Sequence, residues 1–129
     1  MTPELAALAA TVLVHLAAVV WSQKSFEEDV GREGNLSPRD GSMDLSVRTE
    51  RLKRALGNQT ENIGPFVIAV VLVQFTGSNS WVTALFAWIF VAARALYLPA
   101  YALGWVPWRS YLFMAGLLST LVLIVAAFV

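Results

Sequence analysis

Four apolar stretches separated by polar segments dominate the pattern of this chain. We interpret each as a membrane-spanning helix, because an apolar helix of about 17–25 residues can cross the hydrocarbon core of a bilayer. The predicted spans cover residues 4–21, 62–76, 80–103 and 109–128 of a single domain, residues 1–129. Successive helices joined by short connections pack antiparallel. The pattern therefore predicts an all-α integral membrane protein built as an antiparallel four-helix bundle.

The first connection, residues 22–47, is polar and contains residues that interrupt regular structure. Gly31, Gly34, Pro38 and Gly41 lie within it, and glycine and proline are the strongest local signals for turns and loops. We predict that this connection is an ordered or half-ordered loop rather than a helix.

The second helix is predicted to start near Ser46 and to continue to about Phe75. A helix of that length measures about 45 Å, so its first half must project out of the bilayer. That half carries a polar face, because residues three or four positions apart lie on the same side of a helix. The face consists of Arg51, Arg54, Asn58 and Glu61, with Asn62 at its edge. It is either a polar ligand site at the mouth of the bundle or a solvated helix whose cations lie near lipid headgroups.

The third span also carries polar residues at helical spacing, namely Arg94, Tyr97 and Tyr101. An arginine is costly near lipid, so Arg94 must face the interior of the bundle or extend to the membrane surface. The first span contains His15. A functional role and a simple hydrogen bond to a neighbouring helix both stay open for this side chain.

Composition narrows the class of protein. Hydrophobic residues make up 57% of the chain and charged residues 14%, and the mean hydropathy of +0.63 is too high for an ordinary soluble domain. The formal net charge is zero, which gives no electrostatic reason to expect nucleic acid as a partner. The absence of cysteine excludes disulfides, thiolate metal sites and a protein thiol nucleophile. No metal is predicted, and a sulfur nucleophile would have to arrive with a ligand.

The basic residues are unevenly distributed, since seven of the nine Lys and Arg residues lie between Lys24 and Arg54. Cytoplasmic loops of membrane proteins are enriched in Lys and Arg. We therefore predict that the first and third loops are cytoplasmic and that both termini lie on the opposite side. The polar faces of the second and third helices then meet at the same cytoplasmic end, where we expect a single site.

Two motifs resemble those of a known family. The pattern ER-x-x-R-A-x-x-N-x-x-E, which runs from Glu50 to Glu61, is similar to the signature of the MAPEG family, the membrane-associated proteins of eicosanoid and glutathione metabolism. The third and fourth helices contain Arg94-x-x-Tyr97-x-x-x-Tyr101 followed by Pro107-x-Arg109-Ser110, which resembles the second part of the same signature. The resemblance covers nearly the whole chain in order and spacing.

The resemblance implies a homotrimer of four-helix bundles with glutathione bound between subunits near the cytoplasmic face. It also implies roles for individual residues. The expected catalytic residues are Arg109, as the arginine near the glutathione sulfur, and Ser110 beside it. The residues expected to bind glutathione are Arg51, Arg54, Asn58, Glu61, Asn62, Arg94, Tyr97 and Tyr101.

The function implied by the resemblance is that of a membrane-bound glutathione transferase or peroxidase. A lipophilic electrophile or hydroperoxide would enter from the lipid. One alternative is a non-catalytic, lipid-binding accessory protein of the same family, and another is a small structural or transport subunit with coincidental motifs. Leu56, Gly57 and Phe113 depart from the eicosanoid-forming members, which leaves the second substrate open.

Overall fold

The computed structural model describes residues 1–129 as four helices. These are α1 (Pro3–Leu36), α2 (Val47–Thr76), α3 (Trp81–Ala102) and α4 (Trp108–Phe128). The helices α1, α3 and α4 are long and apolar enough to cross a membrane. The predicted all-α four-helix bundle is therefore confirmed, and α3 and α4 begin and end within one residue of the predicted third and fourth spans.

The centre of the bundle is formed by α2 and α3, which pack against each other. Each flanking helix, α1 and α4, packs on both central helices, but the two flanking helices do not touch. At one end of the bundle α2 begins, α3 ends and α4 begins. This end carries Arg54 and Arg109, and we call it the basic end. At the opposite end the side-chain amide of Gln74 in α2 donates to the hydroxyl of Thr2, just before α1, over 3.0 Å.

The prediction of a loop over residues 22–47 is wrong for residues 22–36, because α1 continues as helix to Leu36. The backbone leaves helical geometry within this extension only at Gly31, where φ is +73° and ψ is 169°. Burial explains the result, since Ser25 and Phe26 are 1% and 3% exposed. Two cations also pack on the Phe26 ring. The guanidinium of Arg39 lies 4.4 Å from the ring centroid, and the ammonium of Lys53 lies 5.0 Å from it. Packing thus outweighs the helix-breaking residues.

The start of α2 is fastened to this extension of α1. Ser46 caps α2, and its hydroxyl accepts from the Thr49 N–H over 3.2 Å, so the predicted start near Ser46 is confirmed. The Asp29 carboxylate accepts from both the N–H and the hydroxyl of Ser46 over 2.9 Å. The hydroxyls of Ser25 and Thr49 lie 2.6 Å apart and are buried. These bonds set the position of α1 along α2.

The apolar core is divided into two clusters along the bundle axis. The larger one, towards the opposite end, contains Phe66 and Phe90, whose rings stack with centroids 3.9 Å apart. The smaller one, at the basic end, contains Leu52, Ala55 and Tyr97. Along both α2 and α3, a buried polar residue separates the two clusters, Gln59 in α2 and Arg94 in α3. The core therefore has a polar layer between two apolar ones.

Candidate functional site

A cavity of about 570 Å³ lies at the basic end between α2, α3 and α4. Its volume falls within the usual range for small-molecule sites. The side chains that surround it combine guanidinium, carboxylate, amide, hydroxyl and apolar groups. The lining residues are Arg54, Gly57, Asn58, Glu61, Tyr97, Tyr101, Arg109, Ser110, Phe113 and Met114.

The wall supplied by α2 follows from helical spacing. Arg54, Asn58 and Glu61 are four and three positions apart, so successive turns place them on one side of the helix. The opposite side of the same segment carries Leu52 and Ala55, which are buried in the bundle. Burial of this apolar side directs the polar side of α2 towards the cavity.

Tyr101 connects the three helices that line the cavity. The Arg54 Nε donates to the Tyr101 hydroxyl over 3.1 Å, which joins α2 to α3. The guanidinium carbon of Arg109 lies 4.8 Å from the centroid of the Tyr101 ring, which joins α4 to α3. A guanidinium over an aromatic face is attracted by the ring quadrupole. One phenol therefore holds two cations at the cavity wall.

The tight turn between α3 and α4 positions Arg109 and Ser110. Gly104 has φ of +70°, a conformation that glycine adopts at little cost. The Trp105 N–H donates to the Ala100 carbonyl over 2.8 Å. The Arg51 guanidinium packs on the same turn, since a Cβ at Gly104 would lie only 2.9 Å from the Arg51 Nη1. The turn brings the first residues of α4 to the cavity.

The charges in the cavity have no ion-pair partner within the protein. The ion pair of the chain joins Arg48 to Glu28 over 2.6 Å, away from the cavity. Arg54 and Arg109 bring two positive charges and Glu61 one negative charge to the cavity wall. The site therefore favours an anionic or zwitterionic ligand. Phe113 and Met114 add an apolar side to the same cavity.

Comparison with known proteins identifies the family. The model of the MAPEG family matches residues 4–129, essentially the whole chain. The chain belongs to the MAPEG family. It is accordingly an integral membrane protein of glutathione and eicosanoid metabolism, in contact with lipid. No curated protein and no solved structure matches the chain.

In this MAPEG protein seven of the ten predicted site residues line the cavity, and three do not. Arg51 lies against the turn at Gly104. The side-chain amide of Asn62 donates to the Asn58 carbonyl over 2.7 Å. Arg94 is 1% exposed inside the bundle, where its Nε donates to the Gln59 Oε1 over 2.5 Å. The structure therefore gives these three side chains contacts within the protein.

Arg94 lies behind the cavity wall rather than on it. Its guanidinium carbon is 4.3 Å from the centroid of the Tyr97 ring, and Tyr97 in turn lines the cavity. Gln59, the acceptor for Arg94, was missed by sequence reasoning. The signal was its spacing, because Leu52, Ala55 and Gln59 share the buried face of α2. An amide at a core position of a membrane helix indicates a buried polar partner.

His15 lies apart from this cavity. It lines a smaller groove of about 200 Å³ between α1 and α2, together with Thr11 and Thr60. Its Nδ1 is buried and has no hydrogen-bond partner. The groove is otherwise apolar, and it shares no residue with the cavity at the basic end.

The Gln59–Arg94 pair leads to a prediction about stability. Gln59→Leu removes the acceptor of a buried guanidinium and should lower the free energy of unfolding by about 1–3 kcal/mol. Arg94→Met should also destabilise the protein, because it leaves the Gln59 carboxamide unpaired. The double variant removes both polar groups, so neither is left unpaired. Its free energy of unfolding should therefore fall by clearly less than the sum of the decreases in the two single variants.

Denaturant unfolding in detergent micelles measures these free energies. Gln74→Leu is the matched control, because Gln74 donates to Thr2 at the opposite end of the bundle. Its effect should simply add to that of Arg94→Met. Additive effects of Gln59→Leu and Arg94→Met would contradict the energetic coupling inferred from the 2.5 Å contact.

Proposed function

We propose that this MAPEG protein is a membrane-bound glutathione transferase or peroxidase that activates the glutathione thiol for attack on a lipophilic electrophile or hydroperoxide. The observation that carries the proposal is the composition of one cavity. Arg109 and Ser110 of α4 line it together with Arg54, Asn58 and Glu61 of α2. The residues of α2 supply binding partners for a charged tripeptide, and those of α4 supply a cation and a hydroxyl for its reactive thiol.

The polar groups of the cavity are complementary to glutathione, which carries two carboxylates, one ammonium and one thiol. A guanidinium matches the geometry of a carboxylate and can bind it through two parallel hydrogen bonds. Arg54 supplies this group, and the Glu61 carboxylate can accept from the ammonium. Asn58 can both donate to and accept from the peptide groups of the ligand. The α2 wall is therefore proposed to bind the parts of glutathione that do not react.

The chemical step needs a thiolate, since the thiolate rather than the thiol is the nucleophile. A neighbouring cation lowers the pKa of a thiol, and Arg109 supplies that cation at the start of α4. The positive end of the α4 helix dipole acts in the same direction. The Ser110 hydroxyl can donate a hydrogen bond to the sulfur. All three effects are stronger at a membrane boundary with little water, because the effective dielectric constant there is lower.

Two reactions follow from the same thiolate. With an electrophilic carbon, the sulfur forms a bond to the carbon while the leaving group departs with its electron pair. With a hydroperoxide, the sulfur attacks the terminal oxygen, the O–O bond breaks and the alkoxide takes up a proton. The resulting glutathione sulfenic acid is reduced by a second glutathione to the disulfide and water. Phe113 and Met114 form the apolar side against which the lipophilic substrate would lie.

We also propose that the protein acts as a homotrimer whose basic end faces the cytoplasm, with glutathione bound between subunits. The cavity is open on one side in the single chain, so a neighbouring subunit could complete it. The concentration of Lys and Arg between Lys24 and Arg54 supports the orientation. Glutathione and the lipophilic substrate would then reach the site from water and from lipid, respectively.

The proposed role of α2 predicts the behaviour of two variants. Arg54→Ala and Glu61→Ala should each weaken glutathione binding by about 1.5–3 kcal/mol, because each removes one charge-assisted hydrogen bond. Turnover at saturating glutathione should change less, since neither group is proposed to contact the reacting sulfur. Isothermal titration of the purified protein in detergent, with its oligomeric mass determined in the same detergent, measures the affinity.

Arg32→Ala and Glu33→Ala serve as matched controls, because both residues are exposed on α1 and outside the cavity. They should bind glutathione like the parent protein. If Arg54→Ala and Glu61→Ala also keep the affinity of the parent, the ligand does not bind along this face of α2.

The proposed role of Arg109 predicts a different pattern. Arg109→Ala should lower turnover with an activated aryl halide by on the order of tenfold at neutral pH, since an unactivated thiol is only a few per cent thiolate there. Glutathione affinity should largely survive. Arg109→Lys should restore part of the rate, because lysine keeps the charge but not the planar fork.

Steady-state rates at saturating glutathione measure this pattern, with Arg32→Ala as the control. Turnover of Arg109→Ala equal to that of the parent protein would make Arg109 a lipid-facing anchor. A parent protein that binds glutathione but turns over no electrophile would instead indicate the accessory role that some family members have.

A further inference from the structure

Gly57 occupies the middle of α2 without any backbone requirement for glycine. The glycines with positive φ are Gly31, Gly77 and Gly104, so Gly57 has an ordinary helical conformation that alanine also adopts. Glycine in a helix interior is less stable than alanine. The residue therefore has a cost in the folded protein that the local backbone does not explain.

Close packing does not explain Gly57 either. A Cβ placed on it would meet no other atom within 4 Å. By contrast, a Cβ at Gly34 would lie 2.8 Å from the Val30 Cβ, and one at Gly104 would lie 2.9 Å from the Arg51 Nη1. The space in front of Gly57 is instead the cavity at the basic end, which this residue lines.

The space in front of Gly57 lies between two residues of opposite charge on the same side of α2. Arg54 precedes it by three positions and Glu61 follows it by four, so the two side chains project from the same side of α2 above and below it. One carries a positive charge and the other a negative charge. A zwitterionic ligand held by both must cross the helix surface at Gly57.

We propose that Gly57 is a specificity-determining residue of this cavity, because its bare backbone is the surface on which the peptide chain of glutathione lies between Arg54 and Glu61. This proposal rests on the proposed function. A methyl group at position 57 lifts the ligand from α2 by the thickness of one carbon. The carboxylate and ammonium of the ligand then lose optimal contact with Arg54 and Glu61.

Two alanine variants test the proposal. Gly57→Ala is compared with Gly64→Ala, because Gly64 also lies inside α2 with nothing within 4 Å of an added Cβ, but outside the cavity. Gly57→Ala should raise the thermal unfolding temperature in detergent, since alanine stabilises a helix relative to glycine. Gly64→Ala is not expected to raise it, because Gly64 directly precedes Pro65 in α2 and a Cβ before proline disfavours helical geometry. Gly57→Ala should nevertheless bind glutathione about tenfold more weakly, which corresponds to about 1.4 kcal/mol. Gly64→Ala should bind it like the parent protein.

A purely structural role of Gly57 cannot explain a higher unfolding temperature together with weaker glutathione binding. Damage to the fold would lower stability and affinity together. Gly57→Leu should weaken glutathione binding further. S-hexylglutathione is a second probe, and its affinity should fall by the same factor as that of glutathione, since both share the peptide chain. These measurements use the purified full-length protein.

Four outcomes would overturn the proposal. The first is an unchanged glutathione affinity in Gly57→Ala while the parent protein binds. The second is a loss of affinity for S-hexylglutathione alone, which would assign the space to the lipophilic group. The third is a lower unfolding temperature or failure to fold of Gly57→Ala, which would show that a neighbouring subunit packs on this glycine. The fourth is a parent protein that does not bind glutathione at all, which would overturn the proposed function together with this inference.

Discussion

The hydrogen bond between the buried Arg94 guanidinium and the Gln59 carboxamide is the contact on which the rest of this structure depends. It lies between two apolar clusters, where a buried guanidinium without a hydrogen-bond acceptor would be very costly. The donor is in α3 and the acceptor is in α2, so any sliding of one central helix along the other would break it. Arg94 also packs on the ring of Tyr97. The pair thus sets the relative height of the helices that form two walls of the cavity.

The cavity at the basic end follows from that alignment. With α2 and α3 in register, Tyr101 meets the Arg54 guanidinium at a hydrogen-bonding distance of 3.1 Å. The turn at Gly104 then brings Arg109 over the same ring. Neither arginine is neutralised by a carboxylate within the protein. The fold therefore holds two cations next to an apolar surface. The cations are available to an anionic ligand, and the apolar surface is available to a lipophilic reactant.

Helical periodicity alone predicted much of this arrangement. The spacing of Arg54, Asn58 and Glu61 placed them on one face, and they line the cavity. The same periodicity assigned Arg94 to the binding face with Tyr97 and Tyr101. Periodicity could not show whether the Arg94 side chain lies in the cavity wall or behind it. The position of this side chain depends on the neighbouring helix α2, where Gln59 accepts its hydrogen bond. The helical extension to Leu36 was missed because the burial of Phe26 and its contact with Lys53 of α2 are long-range effects. Local glycine and proline signals carry no information about such contacts.

The central claim is that Arg109 turns bound glutathione into a thiolate at neutral pH. Ultraviolet absorbance of the thiolate, recorded across pH on the glutathione complex, measures the pKa of the bound sulfur directly. In the parent protein this pKa should lie well below the value of about 8.5 for an ordinary cysteine thiol. In Arg109→Ala it should rise towards that value while glutathione stays bound. Titration curves that coincide for the two proteins would contradict the account.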